Sequence, residues 1–414
     1  MSDVVITGTG MISGLGHDVP SFWSGLCAGE VAIGAAPWAS PGHFAWWAGV
    51  RDFDPGRWAD PAVVAGSDQF TLFTLAAAGQ ALAEAGLTEL DPQRTGVAVG
   101  TSMGGTGALQ KAQHQLETAG PEAVDRKTMI KIWPNMAAAQ VAMRYRLHGP
   151  SLTFCTACAS SIDAIGSAAG LIRAGRADVV IAGGTEGGYG RFDGSPDGDF
   201  VPAVFYSHAG YGLTGGTRDR LRASIPFDVG RSGIVVGEGC AMVVLESREH
   251  AQRRGAAVLG TVEGYASLSD SYHPSSPEPD GIWEAEVMRQ ALADASLAPS
   301  GVAAIVAHGT STPKGDSAEI RAINQVYEGV PVLVTSVKGN LGHPSGAAGA
   351  QAIVAGLCAL RDHKLPHTAG TTQVDPEARF EVVTNAPAGI RAGRIQVNAF
   401  GFGGQNASLV LGAA

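Results

Sequence analysis

Cys158 stands in the run Thr156-Ala157-Cys158-Ala159-Ser160-Ser161, where an apolar stretch ends and small residues begin. A thiol placed where a strand gives way to a helix meets backbone N–H groups and the positive end of the helix dipole. Both favour the thiolate and lower the thiol pKa. The small neighbours leave room for an incoming thioester. A buried structural cysteine at a strand–helix junction would have the same surroundings, and this motif alone leaves both readings open. Cys155 completes a Cys-x-x-Cys with Cys158, the spacing of a redox dithiol or of half a zinc site. Against that, Cys27, Cys240 and Cys358 are scattered singly, so no second ligand pair exists. Cys155 also falls inside the strand expected over 151–156, where a small buried side chain is ordinary.

Two histidines occupy comparable places. His308 follows the apolar run 303–307 and opens His-Gly-Thr-Ser-Thr-Pro-Lys-Gly-Asp, with Glu319 just beyond. The carboxyl end of a strand is where α/β sheets place their sites. Thr310 and Thr312 offer hydroxyls to a polar substrate arm. His343 lies in Lys338-Gly-Asn-Leu-Gly-His-Pro-Ser-Gly-Ala-Ala-Gly349, after a strand expected over 332–337. Lys338 is either a partner that neutralises Glu319 or a plain surface lysine. The run Asn398-Ala-Phe-Gly-Phe-Gly-Gly-Gln-Asn406 sets Phe400 and Phe402 among glycines. It reads as a loop that swings and gates a pocket, or as a tight turn pinned by two core phenylalanines.

Two other motifs compete for the chemistry. Gly100-Thr-Ser102-Met103-Gly104 matches the G-x-S-x-G nucleophile elbow of α/β hydrolases, with a strand before it. Ser102 would then need a later Asp and a His, for which His343 or His367 could be nominated, and Cys158 would be left unexplained. Gly8-x-Gly10 falls short of a dinucleotide fingerprint. Its third glycine comes at Gly14, and no acidic residue ends a suitable second strand. No G-K-[ST] occurs, which excludes a P-loop.

The elements that must position these residues follow from periodicity and breakers. A strand is expected over Val4–Thr7, ending in a glycine turn at 8–10, and an amphipathic helix over 68–85, stopped by Gly86. Strand 96–100, helix 109–118, strand 151–156, small-residue helix 158–174 and strand 178–182 come next. The stretch Gly184–Gly216 reads as irregular, which in a compact domain usually marks a cap or a functional loop. Strand-like 234–236 and 241–245 and a charged helix near His250 close the first half. From Leu259 a similar strand–helix order restarts, with helix 282–295, strand 302–307 and a small-residue helix over 347–360. The expected division is 1–254 for a half carrying the cysteine and 255–414 for a half carrying the two histidines, a duplicated layered fold.

Composition narrows the classes. Of 414 residues, 45% are hydrophobic and 16% charged, so much of the chain must be buried. The formal net charge of −10 argues against a nucleic-acid binder, which normally carries a basic face. Met1-Ser2-Asp3 lacks the start of a signal peptide, and the apolar helix 347–360 is too short to span a bilayer. With five irregularly spaced cysteines a disulfide scaffold is not expected. The expectation is a cytoplasmic α/β enzyme with no membrane or nucleic-acid partner.

Taken in order, TAC, HGTSTPKGD, Glu319, Lys338, GH, GAAG and FGFGG resemble the elongating β-ketoacyl-acyl-carrier-protein synthases. The start VVITGTG, the helix LAAAGQALAEAGL and the run from Ile225 to Gly239 share the resemblance, which covers essentially the whole chain. It implies a thiolase fold of two similar halves in five αβαβα layers, usually dimeric, and a decarboxylative Claisen condensation. It implies that Cys158 takes the acyl chain, that the N–H groups of Cys158 and Phe402 form an oxyanion hole, and that His308 and His343 stabilise the enolate. It further assigns Lys338 and Glu319 to support of the histidines, Thr310 and Thr312 to the pantetheine arm, Phe400 and Phe402 to a gate, and Met103 to the acyl pocket. No metal or redox cofactor is implied. The partners implied are an acyl carrier protein and either a second copy or a homologous chain-length-factor subunit. This chain departs from the family at Arg231-Ser232-Gly233-Ile234, where R-D-G-F is common, at Gln405, often Thr, and over 184–216. These departures favour a ketosynthase of a type II polyketide or polyene system over the fatty-acid enzyme. A non-catalytic chain-length-factor-like partner is disfavoured because Cys158, His308 and His343 are all present. A thiolase would need a second cysteine near the C-terminus, and none follows Cys358.

Overall fold

The computed structural model describes residues 3–36, 45–188, 216–391 and 393–414, together with Ala203 and Ser207. The irregular stretch expected over Gly184–Gly216 therefore lies mostly outside the described residues. The framework is an eleven-stranded sheet. Its strands in chain order are β1 (Val4–Ile12), β2 (Thr95–Gly100), β3 (Ser151–Phe154), β4 (Val179–Glu186), β5 (Gly239–Ser247), β6 (Gly260–Ser269), β7 (Val302–Val306), β8 (Leu333–Thr335), β9 (Glu381–Val382), β10 (Arg394–Gly401) and β11 (Gln405–Gly412).

The spatial order β3-β2-β4-β5-β1 in the first half recurs in the second as β8-β7-β10-β11-β6. With the two-residue edge strand β9, which has no counterpart in the first half, left out of the numbering, each half counted from its own first strand gives 3-2-4-5-1. The directions recur as well. The first strand pairs antiparallel with the fifth, the fifth antiparallel with the fourth, and the remaining pairs are parallel, in both halves. The two sets meet where β1 and β6 pair antiparallel over Val4–Ile6.

Inner strands of this sheet such as β1, β2 and β4 are buried on both faces, so they read as unbroken apolar runs rather than alternating ones. Val97 and Val99 of β2 enter one core while Ala98 between them enters another. The central layer holds two helices, α2 (Ser160–Arg173) and α5 (Ala348–Asp362), and α5 is buried at every residue from Ala348 to Leu360. A helix apolar all round belongs between layers. Gly349 lets α5 approach α2, since a Cβ there would lie 2.5 Å from Ile162. The first outer layer contains α1 (Gln69–Glu84), and the second contains α3 (Ile282–Asp294) and α4 (Pro313–Val326).

The structure corrects several boundaries. β1 runs through Gly8 and Gly10 instead of turning there. A Cβ at either would lie about 2 Å from the carbonyl of Ala81 or Ala77 of α1, so these glycines exist to seat a helix on a strand. β4 likewise continues past Gly183 and Gly184 to Glu186. Among the described residues no helix is long and apolar enough to cross a membrane.

Candidate active site

Cys158 sits in a single 3-10 turn, Ala157–Ala159, that leads into α2. Ala157 has φ 49°, a left-handed conformation that costs a residue with a Cβ and persists only where its surroundings enforce it. The turn places Cys158 on the wall of a cavity of about 640 Å³ that His308 and His343 also line. His308 follows β7, and His343 precedes α5. Nε2 of His343 lies 3.0 Å from Cys158 Sγ. The His308 ring stands edge-on to that of His343, centroids 5.3 Å apart, and 5.8 Å from the Phe400 ring. Sγ and one nitrogen of each ring fall within 4.8 Å of one another, a donor set of the type that can ligate a transition metal.

The electrostatics reverse one expectation. Burial pushes the Cys158 thiol up to about 11, and Lys338 and the amides of Phe402 and Cys158 pull it back only in part. The amides at the helix start lower this thiol, but by less than burial raises it. The regular turns of α2 begin at Ser160, two residues on, and the desolvation cost of a buried thiolate is the larger effect. The same amides of Cys158 and Phe402 act on the sulfur, which puts two N–H donors beside the reacting atom. His308 is held well below the ordinary imidazole range, first by burial and then by Lys338 and His343, so its ring is neutral.

Lys338 is not a plain surface lysine, and it and Glu319 each act on the other's charge while both hold the His308 segment. Lys338 is 2% exposed and donates to the His308 carbonyl. Glu319 accepts from the His308 amide at 2.8 Å and the Gly309 amide at 2.6 Å. They form no direct ion pair; instead they grip the two sides of the His308 main chain. Burial moves both towards neutrality, Glu319 up to about 7 and Lys338 down to about 8.

The run 398–406 is a hairpin. β10 carries Phe400, β11 begins at Gln405, and only Phe402–Gly404 form the turn. Phe400 is buried and Phe402 is 38% exposed, so one phenylalanine anchors the turn while the other rides on it. Thr310 and Thr312 line the cavity with their hydroxyls 3.0 Å apart. Met103 lines it too, packed with Trp47 and Val236. Ile234, at one departure from the family pattern, is also on its wall.

The competing motifs lose their support. Among the described residues Ser102 Oγ has no hydrogen-bond partner, hence no base. Cys155 lies just beyond β3 rather than inside it and is exposed, with Sγ 3.3 Å from the Ser102 carbonyl. Both Cys155 and Cys158 are free thiols.

Sequence reasoning missed Glu186. It is fully buried at the end of β4 and accepts from the amides of Ser102 (2.9 Å), Met103 (3.3 Å) and Gly346 (3.0 Å) and from Thr101 Oγ1 (3.2 Å). One carboxylate thus ties the Met103 loop to the turn that follows His343. The available signal was a lone acid closing an otherwise apolar strand. Glu186→Ala would strand one buried and two half-buried amides, so it should cost about 2–4 kcal/mol, read as a lower denaturant midpoint at unchanged slope. A midpoint unmoved by the substitution would remove Glu186 from this role.

A five-layer duplicated α/β fold with a cysteine and two histidines at one cavity defines a thiolase-fold condensing enzyme. The Beta-ketoacyl synthase N-terminal domain model matches residues 1–251, and the C-terminal domain model matches 259–372. The 3-oxoacyl-[acyl-carrier-protein] synthase 2 of Coxiella burnetii is 36% identical, covering 99% of this chain and 98% of its own. A solved ishigamide ketosynthase/chain length factor superposes with TM-score 0.89 at 32% identity over 100% of this chain and 99% of that one. The type II polyketide ketosynthase solved in complex with its acyl-carrier protein and bound to the hexaketide gives 0.88 at 28%, over 100% and 99%. The chain belongs to the β-ketoacyl synthase family. It is an acyltransferase that forms carbon–carbon bonds.

Proposed function

We propose that this ketosynthase extends an acyl chain held on Cys158 with malonyl units delivered by an acyl carrier protein, in a type II polyketide or polyene pathway. The observation that carries the chemistry is the 3.0 Å contact between Cys158 Sγ and His343 Nε2 at the wall of the cavity. His343 takes the thiol proton as sulfur attacks the carrier thioester, and the carrier's thiol leaves. The amides of Cys158 and Phe402 hold the tetrahedral oxyanion. In the second stage the malonyl unit loses carbon dioxide, and its electron pair stays on the methylene carbon as an enolate facing His308 and His343. The carbon attacks the Cys158 thioester, the C–S bond breaks, and the thiolate is released. Decarboxylation supplies the driving force, so this reading requires no metal.

Lys338 and Glu319 serve as positioning residues for His308. Thr310 and Thr312 contact the pantetheine arm, and Phe400 and Phe402 control entry. Residues 1–254 supply the nucleophile and 255–414 the two histidines, as two similar halves. The partners are an acyl carrier protein and either a second copy or a chain-length-factor subunit, as in the ishigamide and hexaketide complexes. The departures at Ile234 and Gln405 favour this pathway over fatty-acid synthesis, for which the Coxiella burnetii relative is named.

The test is the intact mass of the protein after mixing with an acyl-carrier protein. An acyl adduct that maps to the Cys158 peptide supports the reading, and an adduct elsewhere overturns it. Met103 bounds the apolar side of the cavity, so Met103→Gly should lengthen the products by one or more extender units. An unchanged product profile removes Met103 from control of length.

A further inference from the structure

Glu284, in the first turn of α3, is 3% exposed, lines the catalytic cavity, and has no hydrogen-bond partner at Oε2 among the described residues. Asn406 of β11, 2% exposed, lines the same cavity with Nδ2 equally unpartnered. Buried polar atoms are nearly always paired, and those that are not call for a ligand or a function. These two belong to one neighbourhood. Asn406 pairs across the hairpin with Phe400, whose ring lies 5.8 Å from His308. Glu284 feels the charge of Glu319, which holds the His308 amide.

A cation does not suit this neighbourhood. Among the described residues, the one set of three His, Cys, Asp or Glu ligand atoms within 4.8 Å is Cys158, His308 and His343. The acids are too dispersed to cage a metal. The strongest charges acting on Glu284 are those of Glu319 and Asp316 of α4 and Asp270 and Glu278 of the loop before α3, all acidic, while Lys314 and His273 also line the cavity. Burial and these four carboxyls hold Glu284 well above the ordinary carboxyl range. A carboxylic acid kept neutral presents an O–H, and the side-chain amide of Asn406 presents N–H groups.

We propose that Glu284 and Asn406 form the subsite that receives the carboxylate of the malonyl extender, with Glu284 acting as a hydrogen-bond donor. This deepens the ketosynthase reading and rests on it. The chemistry fits a group that must be held and then lost. A fixed cation would stabilise the carboxylate in its ground state and oppose decarboxylation, because only interactions that strengthen in the transition state speed a reaction. A neutral donor orients the carboxylate and releases carbon dioxide, which is uncharged. The C–C bond to the carboxyl breaks, carbon dioxide departs, and the electron pair moves away from the acidic wall towards His308 and His343.

The experiment measures KM for malonyl-carrier protein with enzyme preloaded on Cys158, across pH, for the unmodified protein, Glu284→Ala and Glu284→Gln. Intact mass reports the loading step in each. Glu284→Ala should raise KM about tenfold or more, the cost of one hydrogen bond to a charged acceptor, and Glu284→Gln should restore most of it. In the unmodified protein KM should climb as rising pH ionises Glu284, while in Glu284→Gln it should stay flat. A KM within twofold in the alanine variant overturns the subsite. So does a glutamine variant that tracks the unmodified pH profile, and that comparison stands even if the alanine variant does not fold. Absence of an acyl adduct on the unmodified protein overturns the parent reading, and the subsite with it.

Discussion

Cys158→Ala should accept no acyl group and should lose carbon–carbon bond formation by on the order of 10⁴-fold or more. Among the described residues Cys158 is the one cysteine on the cavity wall. Ser102 carries the competing motif, and among the described residues its hydroxyl has no base. The intact mass after mixing with acyl-carrier protein should equal that of the untreated variant. A surviving adduct would move the nucleophile elsewhere. The buried thiol, raised to about 11, adds a pH test with a definite sign. A group raised in this way gives up its proton only at high pH, so the thiolate fraction grows with each unit of pH. Alkylation of Cys158 by iodoacetamide should rise about tenfold per unit between about pH 7 and pH 10. A rate that levels off near pH 8 would mean that the helix end or His343 stabilises the thiolate more than burial opposes it.

The two histidines should separate by half-reaction. Only His343 reaches Cys158. His308 lies beyond it, neutral, with its main chain clamped by Lys338 and Glu319. His308→Ala should therefore load acyl groups within about threefold of the unmodified rate, yet lose condensation by on the order of 10³-fold, the usual scale for an enolate or oxyanion donor. His343→Ala should slow loading by on the order of 10²-fold as well, because the proton acceptor for sulfur is gone. Equal loss of loading in both variants would mean that the rings act as one unit rather than in sequence.

The site was legible in the sequence where chemistry is written in residue type and local spacing. The cysteine at a strand–helix junction and the two glycine-flanked histidines after strands needed no tertiary knowledge to be picked out, and the structure brings all three to one cavity. Lys338 was harder to place because exposure decides its character, and exposure is a property of the assembled layers. The glycines of β1 and β4 misled for a related reason. Gly8 and Gly183 look like turns in one dimension, but each faces a backbone carbonyl at a distance no Cβ tolerates. Glu284 and Glu186 were invisible because their importance comes from which atoms lie opposite them, across elements far apart in the chain. The thiol was misjudged because the helix effect is local and readable, whereas desolvation depends on everything packed around it.

The two central helices begin in matching ways. A 3-10 turn, Ser345–Ala347, precedes α5 as Ala157–Ala159 precedes α2, and Ser345 shares the left-handed conformation of Ala157, at φ 38°. Gly346 thus stands in the second half where Cys158 stands in the first. A Cβ on Gly346 would come within 2.6 Å of the Ser102 amide nitrogen and 2.7 Å of Thr101 Cα. The second repeat has no room for a nucleophile at its own equivalent position, because Thr101 and Ser102 of the first repeat fill that space. The pseudo-symmetry of the fold therefore stops at the chemistry: a single substitution at Gly346 could not install a second thiol without displacing the backbone of the other half.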